Sequence, residues 1–193
     1  MDELKNKESE AALTDKLYKN RIIVIAEEIS KASYSAFFKQ IIAMDSESSD
    51  PITIYVNSPG GDAYSGLAFY DVLQYVKSPV TIIGTGLVAS AAALLYLAVP
   101  RERRLSLPNT RYLIHQPLLQ ASEDSPYMTS IQIDIEAEEM ERLRDRFDSL
   151  IAEATGITKE EAREATERDN WLDAEEAIKA GIVGRVIKNV KEI

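Results

Sequence analysis

The chain has 193 residues, of which 45% are hydrophobic, which is enough for one domain with its own core. Its net charge of −10 argues against the phosphate backbone of a nucleic acid, or an anionic membrane surface, as the main partner. Because cysteine is absent, the sequence excludes disulfides, thiolate metal sites and a cysteine nucleophile, and it agrees with a cytoplasmic location.

The N-terminal 16 residues, MDELKNKESEAALTDK, are polar and charged, and we expect them to form a mobile segment. They lack the apolar stretch of a secretion signal. Residues 17–193 are expected to form a single domain. Within it, RIIVI predicts a short strand that ends near residue 25, and the apolar spacing of residues 30–44 predicts a helix.

A second predicted strand, residues 52–56, leads into a turn that ends in Pro59-Gly60-Gly61 and then into a helix over about residues 64–76. This alternation of strand, turn and helix predicts α/β crossover units on a largely parallel sheet. The glycine turn has two interpretations. It is either a tight connection, or a place where a substrate approaches the backbone and the Gly61 N–H is free to donate a hydrogen bond.

An uncharged run, VTIIGTGLVASAAALLYLAV, occupies residues 80–99 and is long enough to cross a membrane. Its β-branched start and two glycines instead favour a buried strand and a turn that lead into a helix. Ser90 then lies where that helix begins. Its hydroxyl either caps the helix, or it is a nucleophile, because free N–H groups and the positive end of the helix dipole stabilise an oxyanion there.

His115 ends the predicted strand RYLIH and is the only histidine of the chain. A lone histidine at a strand end is commonly structural. If Ser90 is a nucleophile, however, it needs a base with a pKa near neutrality, and only His115 is available for that role. Asp169 lies in a predicted loop and by itself has the character of an ordinary acidic surface residue.

A long helix is predicted over about residues 129–155, after a polar loop at 118–127. About 26 residues give a length of about 39 Å, more than the helix needs to cover its own sheet. We therefore expect it to reach out to another subunit; the alternative is that it lies along its own core. Gly156 is expected to end it, and two short capped helices and a last strand follow. Its apolar positions have near-heptad spacing: Ile133, Ala137, Met140, Leu143, Phe147, Leu150 and Ala154.

Four stretches of the chain resemble the proteolytic subunit of the ATP-dependent Clp protease, the ClpP family, in the same order and with similar spacing. They are YVNSPGG at 55–61, GLVASAAA at 86–93, LPNTRYLIHQP at 107–117 and ERDNWLDAEEAIKAGIVGRVI at 167–187. The resemblance extends from about residue 18 to residue 187. It implies an α/β, ClpP/crotonase-like fold of stacked ββα units with a long protruding handle helix.

The resemblance also implies roles for individual residues. Ser90 matches the family's nucleophile, His115 its general base and Asp169 the acid that orients the imidazole. The backbone N–H groups of Gly61 and Ala91 match its oxyanion hole. The chain is therefore expected to be a serine endopeptidase acting on unfolded polypeptides, with no cofactor or metal of its own, because ATP is used by a partner.

The implied partners follow from how the family assembles. Its members form two stacked seven-membered rings, and the helix at 129–155 matches the element that interlocks them. A ring-shaped ATPase unfolds substrates and threads them through axial pores. The expected partners are therefore further copies of this chain, a Clp ATPase and unfolded polypeptides, with neither nucleic acid nor membrane.

Four features depart from the family pattern. The charged N-terminal segment replaces an apolar, proline-containing one, extra residues precede the long helix at about 118–128, Ala92 stands where glycine is usual, and AEEI follows the first strand where a glycine is common. Two other functions are considered. One is a weakly active or regulatory ClpP-like subunit of a mixed complex, and the other is a crotonase-like enzyme acting on acyl-CoA thioesters, which has no evident need for a Ser-His-Asp set.

Overall fold

A computed structural model describes residues 2–118 and 129–193, with side chains from residue 11 onward. Within these ranges the chain forms seven α-helices and a seven-stranded sheet. The extra residues expected at about 118–128 lie outside the described residues, apart from Leu118. The predicted α/β fold class, a mainly parallel sheet with a long helix, is confirmed.

The first half of the chain alternates helices and strands. The elements are α1 (Asp2–Lys19), β1 (Ile22–Ile25), α2 (Lys31–Glu47), β2 (Ile52–Ser58), α3 (Ala63–Tyr75), β3 (Val80–Ala89) and α4 (Ala91–Leu97). The second half contains shorter strands and the longest helix. Its elements are β4 (Arg104–Ser106), β5 (Arg111–Ile114), α5 (Ser130–Thr155), α6 (Lys159–Thr166), β6 (Asn170–Leu172), α7 (Ala174–Lys179) and β7 (Arg185–Val186).

The sheet is organised around β3, which has different neighbours along its length. The parallel order is β1-β2-β3-β4-β7. The first half of β3 pairs with β4, whereas its second half pairs with β5, so that Ala89 lies opposite Leu113. The strand β6 pairs with β5 and runs antiparallel to it. This branching brings the ends of β2, β3 and β5 together.

The strand β3 is longer than the sequence predicted, because it continues through Gly84 and Gly86. Both glycines are needed for close packing rather than for a turn. A Cβ at Gly84 would collide with the Tyr112 hydroxyl, and a Cβ at Gly86 would lie 2.8 Å from Asn57 Oδ1. The uncharged run 80–99 is thus a buried strand and a buried helix, as predicted. No helix among the described residues is long and apolar enough to span a membrane.

The N-terminal segment has more secondary structure than expected. Residues 1–16 are expected to be mobile, yet the chain is helical over Asp2–Lys19. The Glu, Lys, Leu and Ala content explains the helix, because these residues have high helix propensity. Tyr18, near its end, packs against the core and donates a hydrogen bond to Glu47 (2.8 Å). The mobility of the segment as a whole stays a prediction.

The sequence predicts a surface basic patch at RERR, but its last member, Arg104, is buried, with 4% of its surface exposed. Its guanidinium donates to the carbonyls of Val99 (2.6 Å) and Leu97 (3.2 Å), which follow or end α4. It also donates to those of Ala154 (2.9 Å) and Gly181 (3.2 Å). One buried cation therefore satisfies carbonyl groups at the ends of three helices.

The helix α5 begins after the N-cap Thr129 and ends at Gly156, whose φ of 84° is that of a left-handed cap, as predicted. Its second half packs on the chain's own core, where Phe147 and Leu150 contact a cluster that includes Leu94. The expectation that these two side chains meet another subunit is therefore wrong. Its first half instead leaves three isoleucines exposed: Ile131 (70%), Ile133 (52%) and Ile135 (59%).

Candidate active site

Ser90 joins β3 to α4 in a strained conformation, with φ 54° and ψ −125°. A residue other than glycine at positive φ costs about 1–3 kcal/mol and persists only when its surroundings hold it. Here the Ser90 N–H donates to the Leu113 carbonyl, and the Ala93 N–H donates to the Ser90 carbonyl, both at 2.9 Å. The Ser90 side chain makes no capping hydrogen bond, so the interpretation of Ser90 as a helix cap is wrong.

The turn after β2 lies directly against Ser90. Gly60 and Gly61 have φ values of 91° and 145°. A Cβ at position 60 would lie 2.6 Å from both the Ser90 Cβ and the Ala89 carbonyl oxygen, and one at position 61 would collide with the Ile29 carbonyl. Both glycines are therefore required by the close approach of the backbone to its neighbours, and the turn and Ser90 face one another.

Two backbone N–H groups border this contact. The turn pairs with Ile29 as an isolated β-bridge: the Ile29 N–H donates to the Gly60 carbonyl and the Asp62 N–H donates to the Ile29 carbonyl, both at 2.8 Å. The Gly61 N–H is left without a hydrogen bond to any described residue. Ala91 is the first residue of α4, and the first N–H groups of a helix have no intrahelical acceptor. The two predicted oxyanion-hole donors thus both lie next to Ser90, one in the glycine turn that contacts it and one directly after it in the chain.

His115 and Asp169 are brought together by the pairing of β5 with β6, in which Ile114 lies opposite Asn170. The His115 Nδ1 lies 3.8 Å from the Asp169 Oδ1, which is longer than a hydrogen bond. The imidazole is mostly buried, with 11% of its side chain exposed, whereas the Asp169 side chain is 66% exposed. The three predicted residues are therefore gathered at one place, with the carboxylate short of contact.

Ser90, His115 and Gly61 line one cavity of about 740 Å³, a volume in the usual range for ligand pockets. Its other walls come from the residues after β1, the start of α3, the residues after β5, and one face of α5. No sequence motif marks these walls. The one signal in the sequence is the spacing of Glu136, Glu139 and Met140, which places them on one face of α5.

A hydrogen bond connects two walls of this cavity. The Tyr64 hydroxyl, in the first turn of α3, donates to the Glu139 Oε1 on α5 at 2.6 Å. The hydrogen bond to the Glu139 carboxylate raises the pKa of Tyr64 above its ordinary value. The glycine turn and the long helix are thereby linked through side chains as well as through the core.

A second, apolar crevice opens beside Ser90 and His115. Its accessible volume is about 10 Å³, barely that of one water molecule, so it is nearly closed. An apolar substrate side chain enters only if these walls move apart. The walls come from α4, β5 and α5: Ala93, Leu94, Leu97, Ile114, Phe147 and Ile151.

Comparison with known proteins agrees with this geometry. The model of the family described as Clp protease matches residues 5–190. An ATP-dependent Clp protease proteolytic subunit 2 of Treponema denticola is 41% identical, over 100% of this chain and 94% of the relative. A proteolytic subunit 3 of Rhizobium etli is 43% identical, over 97% of this chain and 92% of the relative.

The fold has close counterparts among solved structures. ClpP1 from Listeria monocytogenes has a TM-score of 0.82 and 41% identity, covering 93% of this chain and 98% of that chain. A mutant of the same protein has a TM-score of 0.83 and 44% identity with the same coverage. The likeness thus extends over nearly the whole chain in sequence and in fold.

Proposed function

We propose that this chain, which belongs to the Clp protease family of serine peptidases, hydrolyses peptide bonds of unfolded polypeptides with Ser90 as its nucleophile. The observation that supports the proposal most is the convergence of Ser90, His115 and Gly61 on one cavity. These residues come from three separate strand ends. The strain held at Ser90 is also typical of functional positions.

In the proposed reaction, His115 removes the Ser90 hydroxyl proton as the oxygen attacks the carbonyl carbon of the substrate. The resulting oxyanion accepts hydrogen bonds from the N–H groups of Gly61 and Ala91. His115 then gives its proton to the leaving amine, and an acyl-enzyme forms on Ser90. Water attacks this ester with His115 again acting as the base, which releases the second product and restores Ser90.

Asp169 orients the His115 imidazole and stabilises its protonated form without itself accepting the proton. In this structure the Asp169 Oδ1 lies 3.8 Å from the His115 Nδ1, which is longer than a hydrogen bond. Catalytic hydrogen bonds are often long in the resting enzyme and shorten in the working complex. We therefore propose that the exposed Asp169 side chain moves into hydrogen-bond contact when substrate or assembly orders the site.

The proposed substrate is an extended peptide that lies in the cavity beside the glycine turn and the residues after β5. Main-chain hydrogen bonds of this kind require little of the substrate sequence, which suits a peptidase for unfolded proteins. The apolar crevice beside Ser90 receives an apolar side chain once its walls part. The reaction needs no cofactor or metal in this chain.

The proposed particle is two stacked seven-membered rings in the cytoplasm, fed by a ring-shaped Clp ATPase that uses ATP. The exposed first half of α5 supports an interlocking role, because its three isoleucines point away from the chain's own core. Residues 1–16, which are charged, are the part that such an ATPase meets in the family arrangement.

A fluorophosphonate probe tests the proposal directly. We expect the adduct on Ser90 and a loss of labelling in Ser90→Ala. Ser90→Ala should lower peptide turnover by about 10⁴-fold and leave the native mass of the particle unchanged. Ser149→Ala, at a half-buried position of α5 where the hydroxyl donates to the Asp145 carbonyl, is the control and should keep full activity. Turnover in Ser90→Ala equal to that of the parent would refute the nucleophile assignment.

A second candidate function is a weakly active or regulatory subunit of a mixed complex. The 3.8 Å separation and the high exposure of Asp169 favour it, because a loosely held carboxylate stabilises the imidazolium poorly. The rate of probe labelling separates the two functions. A purified, fully assembled particle that labels Ser90 only slowly would support the second candidate.

A further inference from the structure

Asp148, in the second half of α5, is a buried carboxylate with no role in the proposed reaction. Its side chain is 1% exposed. The Oδ1 atom accepts a hydrogen bond from the Thr166 hydroxyl at 3.0 Å. The Oδ2 atom has no hydrogen-bond partner among the described residues, and the guanidinium groups of Arg163 and Arg144 lie 3.6 and 4.0 Å from it.

Keeping this carboxylate buried has an energetic cost. Burial raises the pKa of Asp148, although the Thr166 hydrogen bond and the charges of Arg144 and Arg163 oppose the change. A buried charge with incomplete pairing destabilises a fold. An apolar side chain at this position would avoid that cost, so the position of Asp148 suggests a role other than stability.

Thr166, the hydrogen-bond partner of Asp148, is connected to the two segments that carry His115 and Asp169. Thr166 is the last residue of α6, and its carbonyl accepts a hydrogen bond from the Gln116 N–H at 2.7 Å. The Gln116 side chain also donates to the Glu167 carbonyl at 2.8 Å. Gln116 directly follows His115, and Asp169 lies three residues after Thr166. Both members of the His115–Asp169 pair are therefore attached to the end of α6.

We propose that Asp148 is a positioning residue that, through Thr166, holds the end of α6 on α5 and thereby sets the separation of His115 and Asp169. The inference rests on the proposed function, because that separation matters only if His115 acts as the base. The Thr166 hydroxyl also lies 3.0 Å from the Ala162 carbonyl within α6, so Asp148 is its acceptor on the neighbouring helix. Without that acceptor, the end of α6 loses its hydrogen bond to α5. The segment that leads to Asp169 then moves away from the imidazole.

A second contact between the same two helices allows this proposal to be separated from general packing. The Lys159 Nζ, at the start of α6, lies 2.5 Å from the Asp145 Oδ1 on α5. This pair is far more exposed than Asp148 and lies at the opposite end of α6 from Thr166. Asp145→Asn thus removes a carboxylate from the same interface without touching the end that carries the active-site segment.

The experiment uses the fact that His115 is the only histidine of the chain. The full-length protein, labelled at histidine with ¹³C and made without a histidine tag, gives one set of imidazole signals, whose chemical shifts at a fixed pH report on the surroundings of His115 alone. Among the residues that the structure describes, the Asp169 carboxylate pairs with it, at 3.8 Å from Nδ1. The other carboxylates of the cavity remain unchanged in every variant: Glu28, Asp62, Glu136 and Glu139.

Two variants remove the hydrogen bond between Thr166 and Asp148, and two conservative variants retain it. Asp148→Leu removes the acceptor and Thr166→Val removes the donor. For both, we expect the imidazole signals to move away from their parent positions, because the Asp169 carboxylate then lies farther from the His115 Nδ1. Asp148→Asn keeps an oxygen acceptor and Thr166→Ser keeps the hydroxyl, so both should retain the parent positions.

Kinetics provide an independent measurement. In Asp148→Leu and Thr166→Val, kcat should fall about tenfold with KM nearly unchanged, because the interaction acts on the transition state rather than on substrate binding. Asp145→Asn should match the parent in both measurements.

Three outcomes would overturn the proposal. The first is a set of parent-like imidazole signals in folded Asp148→Leu and Thr166→Val, and the second is an equal change in Asp145→Asn, which would indicate general packing of the two helices. The third is an equal change in Asp148→Asn and Thr166→Ser. Should Asp148→Leu fail to fold, Thr166→Val carries the test, because it exchanges one hydroxyl for a methyl. A parent particle that neither labels at Ser90 nor cleaves peptides would instead refute the proposed function, whatever the imidazole signals.

Discussion

A Cβ atom on Gly60 would lie 2.6 Å from the Cβ of Ser90, so the turn after β2 and the residue after β3 are in the closest contact that the main chain allows. Both residues of this contact have a positive φ, 91° at Gly60 and 54° at Ser90. The contact places the glycine turn against Ser90 and against the Ala91 nitrogen, which begins α4. The shape of the candidate oxyanion hole therefore depends on the absence of one side chain.

The first prediction concerns this contact. Gly60→Ala should lower the free energy of unfolding by about 1–3 kcal/mol for backbone strain alone, and the collision with Ser90 should lower peptide turnover by about 100-fold. Chemical denaturation and peptide hydrolysis measure the two effects. Gly156→Ala is the matched control, because its φ is 84° but a Cβ there would contact nothing within 4 Å. It should lose stability and keep its turnover; a loss of turnover there would contradict the role given to the contact.

The second prediction concerns the buried guanidinium of Arg104. Arg104→Met should lower the free energy of unfolding by about 3 kcal/mol or more, because four buried carbonyl groups lose their donor. Arg104→Lys should recover little of this stability, since an ammonium group does not reproduce the planar, forked arrangement of N–H donors of a guanidinium. Urea denaturation measures both. Arg101→Met, at an exposed position with one hydrogen bond to the Ile178 carbonyl, should change stability little. Equal losses at the two positions would contradict this account of Arg104.

The third prediction concerns stability in acid. Burial opposes ionisation of Asp45, but hydrogen bonds from Ser78 and Lys77 outweigh it, and the pKa of Asp45 is lowered in the folded chain. A lowered pKa stabilises the fold fully above the unfolded value, about 3.9, and the contribution is lost as pH falls through the lower folded value. Thermal unfolding should therefore show Asp45→Asn less stable than the parent at pH 6, with the gap closing below about pH 4.

Ser78→Ala provides the complementary test for Asp45. It removes one of the donors and leaves the carboxylate in place, so it should lose part of the same stabilisation above pH 5. A difference between Asp45→Asn and the parent that grows as the pH falls would contradict the assigned direction.

The fourth prediction concerns assembly through the first half of α5. Replacing Ile131 and Ile135 by serine should lower the native mass of the particle, because both isoleucines are exposed in the single chain. Native mass spectrometry measures the change. Val190→Ser, at an apolar position that is 73% exposed outside α5, is the control and should assemble normally.

Phe147→Ala separates assembly from folding in the same helix. Because Phe147 is 6% exposed and packs on Leu94, the truncation should cost about 3–5 kcal/mol of stability in the single chain. A particle of parent mass from the double isoleucine variant would exclude this half of α5 as the contact between rings.

Local sequence patterns were sufficient to predict most elements of the fold. The capping boxes at Thr158 and Asp173 begin α6 and α7 as predicted, and the glycine expected to end α5 does so. The strand alternation predicted the parallel sheet. These predictions hold because capping, turn conformation and apolar periodicity depend on residues within a few positions of one another.

Local patterns failed where a distant partner determines the outcome. The glycines in β3 indicated a turn, but Tyr112 and Asn57 occupy the space where their side chains would be. Arg104 had the character of a surface cation, but carbonyls from residues as distant as Gly181 surround it. Phe147 belonged to a predicted seam between subunits, yet α4 covers it.

The sequence by itself determined the family, the parallel α/β architecture and the identity of the candidate residues Ser90, His115 and Asp169, because motifs and periodicity are properties of the chain. Only the tertiary structure decided that Ser90 is strained, that the Asp169 carboxylate lies 3.8 Å from the imidazole, and that a buried Asp148 holds the end of α6. Such distances depend on how the ends of several strands and helices pack together, and the short-range interactions that shape each element do not specify them.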